Sequence, residues 1–260
     1  MHPPHNAPTQ SQTHTHTHTQ SQSPTRWTDP RIAAAYATRL DLLDRDTAWP
    51  ALTPLLTSPQ PRHGLGRPDA VLLDLGSGPG HYARHLAEHH WTATQAVDIS
   101  PAIHRHGAAH IRDAWIHRIL PHRNGTLPLR RCQCTAALAH LLLCHIEQPA
   151  HILALLTEAR RVLRPHSTLA LIEPGDLGHD FQLLRYGHPD APAEPGPGQP
   201  YPIDYTLPDA SRLRTTAYRH TPALLADLLA RASFHLDEIR PLPLVAGAGS
   251  PFTLWIAHAD

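Results

Sequence analysis

Short apolar runs and segments with helical spacing alternate through the middle of the chain. Apolar runs of strand length occupy residues 70–75, 93–97, 135–144 and 168–172. Between them, apolar residues recur at helical spacing over residues 81–89, from Pro101 onward and over residues 149–163. Strands that alternate with helices predict βαβ units, and hence a parallel sheet with helices on both faces. The predicted fold class is therefore a doubly wound α/β fold.

The two ends of the chain depart from this alternation. Residues 1–25 are rich in His, Thr and Gln and hold no large apolar residue except Met1, which predicts a disordered tail. A helix is predicted from Arg31, where apolar residues recur at helical spacing. At the other end, a helix at residues 222–232 precedes two closely spaced strands, at 234–239 and 252–257. Their short connection favours an antiparallel end to the sheet.

Prolines interrupt the pattern after the fourth apolar run. Seven prolines lie between Pro189 and Pro208, and such a segment is neither a regular helix nor a central strand. We therefore divide the chain into a tail at 1–25 and one domain at 26–260, with a proline-rich insertion at about 175–210. The insertion is either a structured lid over the site or a floppy loop.

Composition and charge exclude several classes of function. All 22 basic residues are arginine, which excludes lysine Schiff-base chemistry and the lysine-bearing phosphate loop. The net charge is zero and no basic run occurs, so a nucleic-acid partner is not expected. The longest apolar stretch is far shorter than the roughly 20 residues of a membrane-spanning helix. Three cysteines, an odd number, suit a reducing cytoplasm.

The strongest chemical signal is the glycine-rich segment from Asp74 to Gly80. It follows a predicted strand and precedes a predicted helix, where glycines allow a tight turn and the helix N-terminus offers free N–H groups to a ligand. Asp98 ends the next predicted strand, where a carboxylate can accept both hydroxyl groups of a ribose. The glycine spacing is G-x-G-x-G, which weakens a dehydrogenase interpretation. Together the two features predict a nucleotide-type ligand.

At these positions the chain resembles the class I S-adenosylmethionine-dependent methyltransferases, of the group that includes the ubiquinone- and menaquinone-type enzymes. The resemblance rests on the sequences VLLDLGSGPG and AVDISPAI, and extends over residues 145–174 and 215–242. It implies a Rossmann-like, mostly parallel seven-stranded sheet with an antiparallel last strand. It also implies S-adenosylmethionine as the cofactor.

The resemblance assigns roles to eight residues. Gly76, Gly78 and Gly80 would line the methionine end of the cofactor, and Asp98 would hold the ribose. The remaining assignments are Asp74 beneath the loop near the amino group, Ile99 on the adenine, Asn124 at the adenine amino group and Tyr36 closing over the cofactor.

Methyl transfer to oxygen or nitrogen also needs a base beyond the end of the fourth strand. His145 is the candidate, with Glu173 and Asp176 as alternatives, although each also has a purely structural interpretation. Metal binding is not predicted, because a buried strand would send its side chains to opposite faces. The residues considered for a metal were Cys132, Cys134, His140, Cys144 and His145.

The sequence thus predicts a cytoplasmic methyltransferase that acts on a small-molecule acceptor, in secondary or cofactor metabolism. One alternative is a non-catalytic methyltransferase-like binding protein, since Asn124 and the pair Cys134-Thr135 stand where the family has acidic residues. A nucleotide-binding oxidoreductase is a second alternative.

Overall fold

A computed structural model describes residues 27–37, 44–57, 70–90, 93–108, 116–122, 125–175, 198–206, 212–243, 250 and 252–260. The predicted tail and much of the predicted insertion lie outside these residues. Among the described residues, no helix combines the length and the apolar character needed to cross a membrane.

Nine strands are described, and seven of them form the main sheet. These seven are β1 (Val71–Leu75), β2 (Ala93–Val97), β3 (Ile116–Ile119), β4 (Cys134–His140), β5 (Leu163–Pro174), β8 (Phe234–Leu242) and β9 (Phe252–Ala259). Their order is β3-β2-β1-β4-β5-β9-β8. The pairs from β3 to β5 are parallel, and β9 is antiparallel to both of its neighbours. The predicted seven-stranded, mostly parallel sheet with an antiparallel last strand is confirmed.

Six α-helices are described around the sheet. They are α1 (Pro30–Ala37), α2 (Trp49–Thr57), α3 (His81–His90), α4 (Pro101–Ala108), α5 (Pro149–Val162) and α6 (Pro222–Arg231). Prolines occupy the first turn of α5 and α6, where no N–H partner is lost. In α6 the hydroxyl of Thr221 also accepts a hydrogen bond from the Leu224 N–H (3.1 Å), which fixes the start of the helix.

Two buried cores lie on opposite faces of the sheet. On one face, α5 and α6 pack with residues such as Leu156 and Leu228 against Leu73 and Leu171. On the other face, α2 and α3 pack against Leu138, which is fully buried in β4. The apolar spacing read from the sequence therefore marks the buried sides of these helices, and both faces are covered as a doubly wound fold requires.

The fourth strand is shorter than its apolar sequence suggests. Leu141 has a left-handed backbone (φ 50°) directly after β4, and its N–H still donates to the Ile172 carbonyl at 2.8 Å. The chain then enters a 3-10 turn over Leu143–His145. The apolar residues beyond His140 therefore belong to a turn, not to the strand.

The end of the proline-rich region and the residues that follow it form two strands that the sequence analysis did not predict. Strands β6 (Pro200–Thr206) and β7 (Arg212–Tyr218) form a separate two-stranded antiparallel ribbon. Proline has no N–H to donate to a neighbouring strand. It is tolerated in the ribbon because both strands are edge strands, and a position that faces outward has no neighbouring strand to bond. This pair of strands is called the ribbon below.

The central strand supports a test of the fold. Leu138→Ala should lower the free energy of unfolding by about 2–5 kcal/mol, because it opens a cavity between β4 and the helices. Leu120→Ala is the matched control, since Leu120 is 45% exposed. Urea unfolding measures both variants, and equal effects would contradict this placement of the core.

Candidate functional site

The glycine-rich loop between β1 and α3 has three left-handed glycines. The φ angles are 66° at Gly76, 54° at Gly78 and 82° at Gly80, a region that other residues rarely adopt. A Cβ atom on Gly76 would lie 2.8 Å from Leu142 Cδ1, and one on Gly78 would lie 3.5 Å from Tyr36 Cε1. The loop therefore uses glycine both for its backbone conformation and for the close approach of neighbouring side chains.

The carboxylate of Asp98 connects this loop to the end of β2. It accepts hydrogen bonds from the N–H groups of Gly78 (3.0 Å) and Ser100 (2.8 Å). Burial raises the pKa of Asp98 from its usual value, and these N–H donors oppose the rise. The carboxylate is thus held at the C-terminal end of the parallel strands, where ligands of such folds bind.

A cavity of about 930 Å³ opens beside the loop. Its walls include Gly76, Gly78 and Asp98, together with Ile99, whose side chain is 61% exposed. The segment Gly125–Leu127 and the first half of α5 complete one wall. Ligand pockets commonly measure roughly 300–1,000 Å³, so this cavity has room for a cofactor and a second molecule.

Three rings form a cluster in the wall of this cavity. The Trp27 ring centroid lies 5.0 Å from that of Tyr36 and 5.2 Å from that of His145, at interplanar angles of 70° and 76°. All three residues line the cavity. Sequence reasoning missed Trp27; its only signal is that it is the first Trp, Tyr or Phe after the polar tail.

His145 ends the 3-10 turn that follows β4. Its Nδ1 lies 3.1 Å from the Thr216 carbonyl oxygen in the ribbon. A carbonyl oxygen only accepts, so Nδ1 carries the hydrogen and Nε2 holds the lone pair of the neutral ring. Burial lowers the pKa of His145, although the hydrogen bond to Thr216 opposes this effect. The neutral form with a free Nε2 is the form of a general base.

The side chains of Glu173 and His220 both hold the same turn. The carboxyl group of Glu173, only 4% exposed, accepts hydrogen bonds from the N–H groups of Leu143 and Cys144. His220 Nε2 donates to the carbonyl oxygens of Leu143 (3.1 Å) and Ile146 (2.9 Å). The turn that presents His145 is therefore fixed by β5 and by the chain that follows the ribbon.

Comparison with known proteins places this geometry in a family. A family model described as a methyltransferase domain matches residues 73–171, the span from the glycine-rich loop through β5. N-demethylindolmycin N-methyltransferase of Streptomyces griseus is 28% identical over 175 residues, which is 66% of this chain and 72% of that protein. The chain therefore carries a methyltransferase domain of the S-adenosylmethionine-dependent kind.

One further sequence relative and one solved structure are similar to this methyltransferase. The 23S rRNA (guanine(748)-N(1))-methyltransferase of Streptomyces fradiae is 34% identical over 146 residues, which is 53% of this chain but only 45% of that protein. The solved structure of an S-adenosylmethionine-dependent methyltransferase from Mesorhizobium loti superposes with a TM-score of 0.56 at 18% identity and covers 83% of this chain and 99% of that one. At that identity the solved structure shows the shared fold alone.

The structure brings together most of the residues predicted for the site of this methyltransferase. Tyr36, Gly76, Gly78, Asp98, Ile99 and His145 all line the cavity. Among the predicted residues that the structure describes, Asp74, Gly80 and the alternative base Glu173 lie outside the lining. Asp74 is buried in β1, and burial together with the nearby charge of Asp98 raises its pKa to about 7.

Other predicted residues play no described part in the site. Asn124 and Asp176 lie outside the described residues. None of the three cysteines is in a disulfide, and no group of three or more His, Cys, Asp or Glu side chains in the described ranges is arranged to hold a metal ion.

The loop geometry of the methyltransferase predicts the effect of one added methyl group. Gly76→Ala should weaken S-adenosylhomocysteine binding roughly tenfold, because alanine at this φ costs about 1–2 kcal/mol and its Cβ crowds Leu142. Gly198→Ala is the control, since Gly198 has a φ of 73° with no atom within 4 Å of the added Cβ. Isothermal titration calorimetry measures the affinity of both variants for S-adenosylhomocysteine. An equal loss of affinity in the two variants would show that backbone strain, and not the contact with Leu142, is responsible for the loss.

The buried carboxyl group of Glu173 predicts a pH-dependent stability. Burial raises its pKa from 4.5 to about 8. Between these values the folded protein holds a proton that the unfolded chain has released, so the free energy of unfolding falls as the pH rises. Glu173→Gln keeps an acceptor oxygen and does not titrate. The variant should therefore gain stability relative to the wild type across this interval, on the order of 1–4 kcal/mol.

Urea unfolding at several pH values measures this gain. The matched control is Glu147→Gln, because Glu147 lies exposed on the neighbouring loop. A stability difference between Glu173→Gln and the wild type that does not change with pH would contradict the assignment.

Proposed function

We propose that this methyltransferase methylates a small-molecule acceptor and that His145 is the general base. The observation that carries the proposal is the hydrogen bond from His145 Nδ1–H to the Thr216 carbonyl oxygen, which leaves Nε2 as the proton acceptor of a ring that lines the cavity. The glycine-rich loop and Asp98 line the same cavity, so a base and a cofactor-binding loop share one space.

The residues around the loop fit S-adenosylmethionine. Gly76 and Gly78 form a cradle that a Cβ atom would fill, and Asp98 is a carboxylate already positioned by two N–H donors. We assign Gly76, Gly78 and Gly80 to the methionine end, Asp98 to the ribose, Ile99 and Asn124 to the adenine, and Tyr36 to the closure over Gly78. Asp74, which is buried behind the loop, would act through the loop and not by contact.

The cofactor supplies an electrophilic methyl group on a sulfonium sulphur. The protein then needs to align the acceptor and remove its proton. With the cofactor held by the glycine-rich loop and Asp98, His145 Nε2 would accept the proton that the acceptor atom loses when it is methylated. Glu173 and His220 keep the turn in place, so that the imidazole needs no rearrangement before it acts.

Charge in the cavity supports a small, uncharged acceptor. Among the described lining residues, the only formally charged side chains are Asp98 and Glu158, and Glu158 is paired with Arg161 at 2.6 Å. A phosphate-rich acceptor would find no arginine in this lining. The Streptomyces griseus relative is named for N-methylation of a small molecule, which agrees with this proposal.

Two substitutions separate the proposed roles. Asp98→Ala should weaken S-adenosylhomocysteine binding by roughly 10- to 100-fold, because two charge-assisted hydrogen bonds and the ribose acceptor are lost. His145→Gln should bind S-adenosylhomocysteine as the wild type does, but transfer methyl groups about 10²–10⁴-fold more slowly. Titration calorimetry and transfer of a labelled methyl group measure the two effects.

The acceptor class is tested in the same transfer assay. The wild type is supplied with a low-molecular-mass Streptomyces extract or with total RNA from the same cells. We expect label in the small-molecule fraction only. Label in RNA would overturn the small-molecule acceptor and favour an activity like that named for the Streptomyces fradiae relative.

A further inference from the structure

The ring cluster of Trp27, Tyr36 and His145 lies where three parts of the fold meet. Tyr36 in α1 reaches the glycine-rich loop at Gly78, and His145 belongs to the turn after β4. Trp27 contacts both rings. Behind Trp27 and Tyr36 lie Cys144 of the turn and the ribbon residues Ile203 and Ala217.

This placement puts Trp27 in direct ring contact with the proposed base. Trp27 also packs, together with Tyr36, against Ala33, Ala102 and Ile103, so it lies between α1, α4 and the turn that holds His145. An acceptor must bring its nucleophilic atom to His145 Nε2, within hydrogen-bond reach. Such an acceptor would lie against Trp27.

The chemistry of this wall selects a class of acceptor. Aromatic rings associate edge-to-face or in offset stacks, and these contacts add to the free energy gained by burying apolar area. The turn residues Leu141, Leu142 and Ile146 also line the cavity and are apolar. Burial also lowers the pKa of His145, which shows that this wall disfavours a positive charge.

We propose that Trp27 is a specificity-determining residue and that the acceptor is a planar, uncharged aromatic compound bound against its ring. This inference rests on the proposed function, because it names the acceptor class of the same site. Trp27 is not a catalytic residue here; it selects and orients the molecule that His145 deprotonates.

A competing interpretation is that Trp27 only packs against Tyr36 and keeps α1 in place. In that case, removal of the Trp27 ring would weaken cofactor binding. The wild type would show no preference for aromatic molecules, so the substitution could not abolish one. The two interpretations therefore differ in the ligand whose affinity changes.

The experiment uses the full chain saturated with S-adenosylhomocysteine. Naphthol and its saturated counterpart decahydronaphthol serve as probes, because both are uncharged hydroxyl compounds of similar size at neutral pH and only one is aromatic. Comparison of each variant with the wild type cancels the greater hydroxyl acidity of naphthol. Titration calorimetry measures each probe against the wild type, Trp27→Leu, Trp27→Phe and Trp49→Leu. Trp49 is the matched control because it lies in α2 against Tyr82 and His85, outside the cavity lining.

We expect the wild type to bind naphthol about 3- to 10-fold more tightly than decahydronaphthol. Trp27→Leu should lose this preference and still bind S-adenosylhomocysteine, whereas Trp27→Phe and Trp49→Leu should keep it. Equal affinities for the two alcohols in the wild type, or an unchanged preference in Trp27→Leu, would overturn the inference alone. Failure of the folded wild type to bind S-adenosylhomocysteine would overturn the proposed function and this inference with it.

Discussion

The two hydrogen bonds accepted by the Asp98 carboxylate are the constraint on which the site depends. One comes from the N–H of Gly78 and the other from the N–H of Ser100, so one side chain fixes the loop after β1 and the turn after β2. The hydroxyl of Ser100 in turn accepts the Ile103 N–H at 3.2 Å, which sets the start of α4. Because a buried carboxylate needs such donors, the conformation of the loop and the ionisation of Asp98 stabilise each other.

The sheet places a second set of residues opposite that loop. Strand order reverses between β1 and β4, and the crevice at such a reversal is the usual ligand site of this fold. The loop fills one side of the crevice, and the turn Leu143–His145 fills the other. The position of that turn comes from the burial of Leu143 and Cys144 and from contacts with Glu173 in β5, with His220 and with Thr216 in the ribbon. The ribbon thus supports the wall of the cavity from behind, through the contact of Thr216 with His145.

The sequence predicts the parts of this arrangement that are encoded locally. The strands β1 and β2, the helix α5, the glycine-rich loop and Asp98 all follow from apolar spacing or from residues adjacent in the chain. The four-residue strand β3 was not predicted, because His117 and Arg118 interrupt its apolar pattern. The ribbon was missed because prolines usually mark irregular chain, although Pro200 and Pro202 fit a strand without a second neighbour.

Residues that act through distant contacts could not be predicted. Trp27 meets His145 across more than a hundred residues, and Thr216 meets it across 71. No periodicity in the sequence links such positions. Among 24 histidines, the sequence could distinguish His145 only by its place after the fourth strand. The structure adds two contacts that distinguish His145, namely its hydrogen bond to the Thr216 carbonyl oxygen and its ring contact with Trp27.

The burial of His145 is consistent with a base that must be reset after each turnover. If His145 takes the proton of a neutral acceptor, as proposed, it would gain one positive charge, and a sulfonium cofactor would lose its own on giving up the methyl group. The net charge of the cavity would then be unchanged, so the low-polarity wall would not oppose the transfer itself. Burial would disfavour the imidazolium once the neutral product had formed, and this would favour release of its proton to water. In an exposed histidine the imidazolium would be stabilised by water. Such a histidine would release its proton more slowly after the reaction, and the unchanged net charge of the cavity would matter less to the transfer.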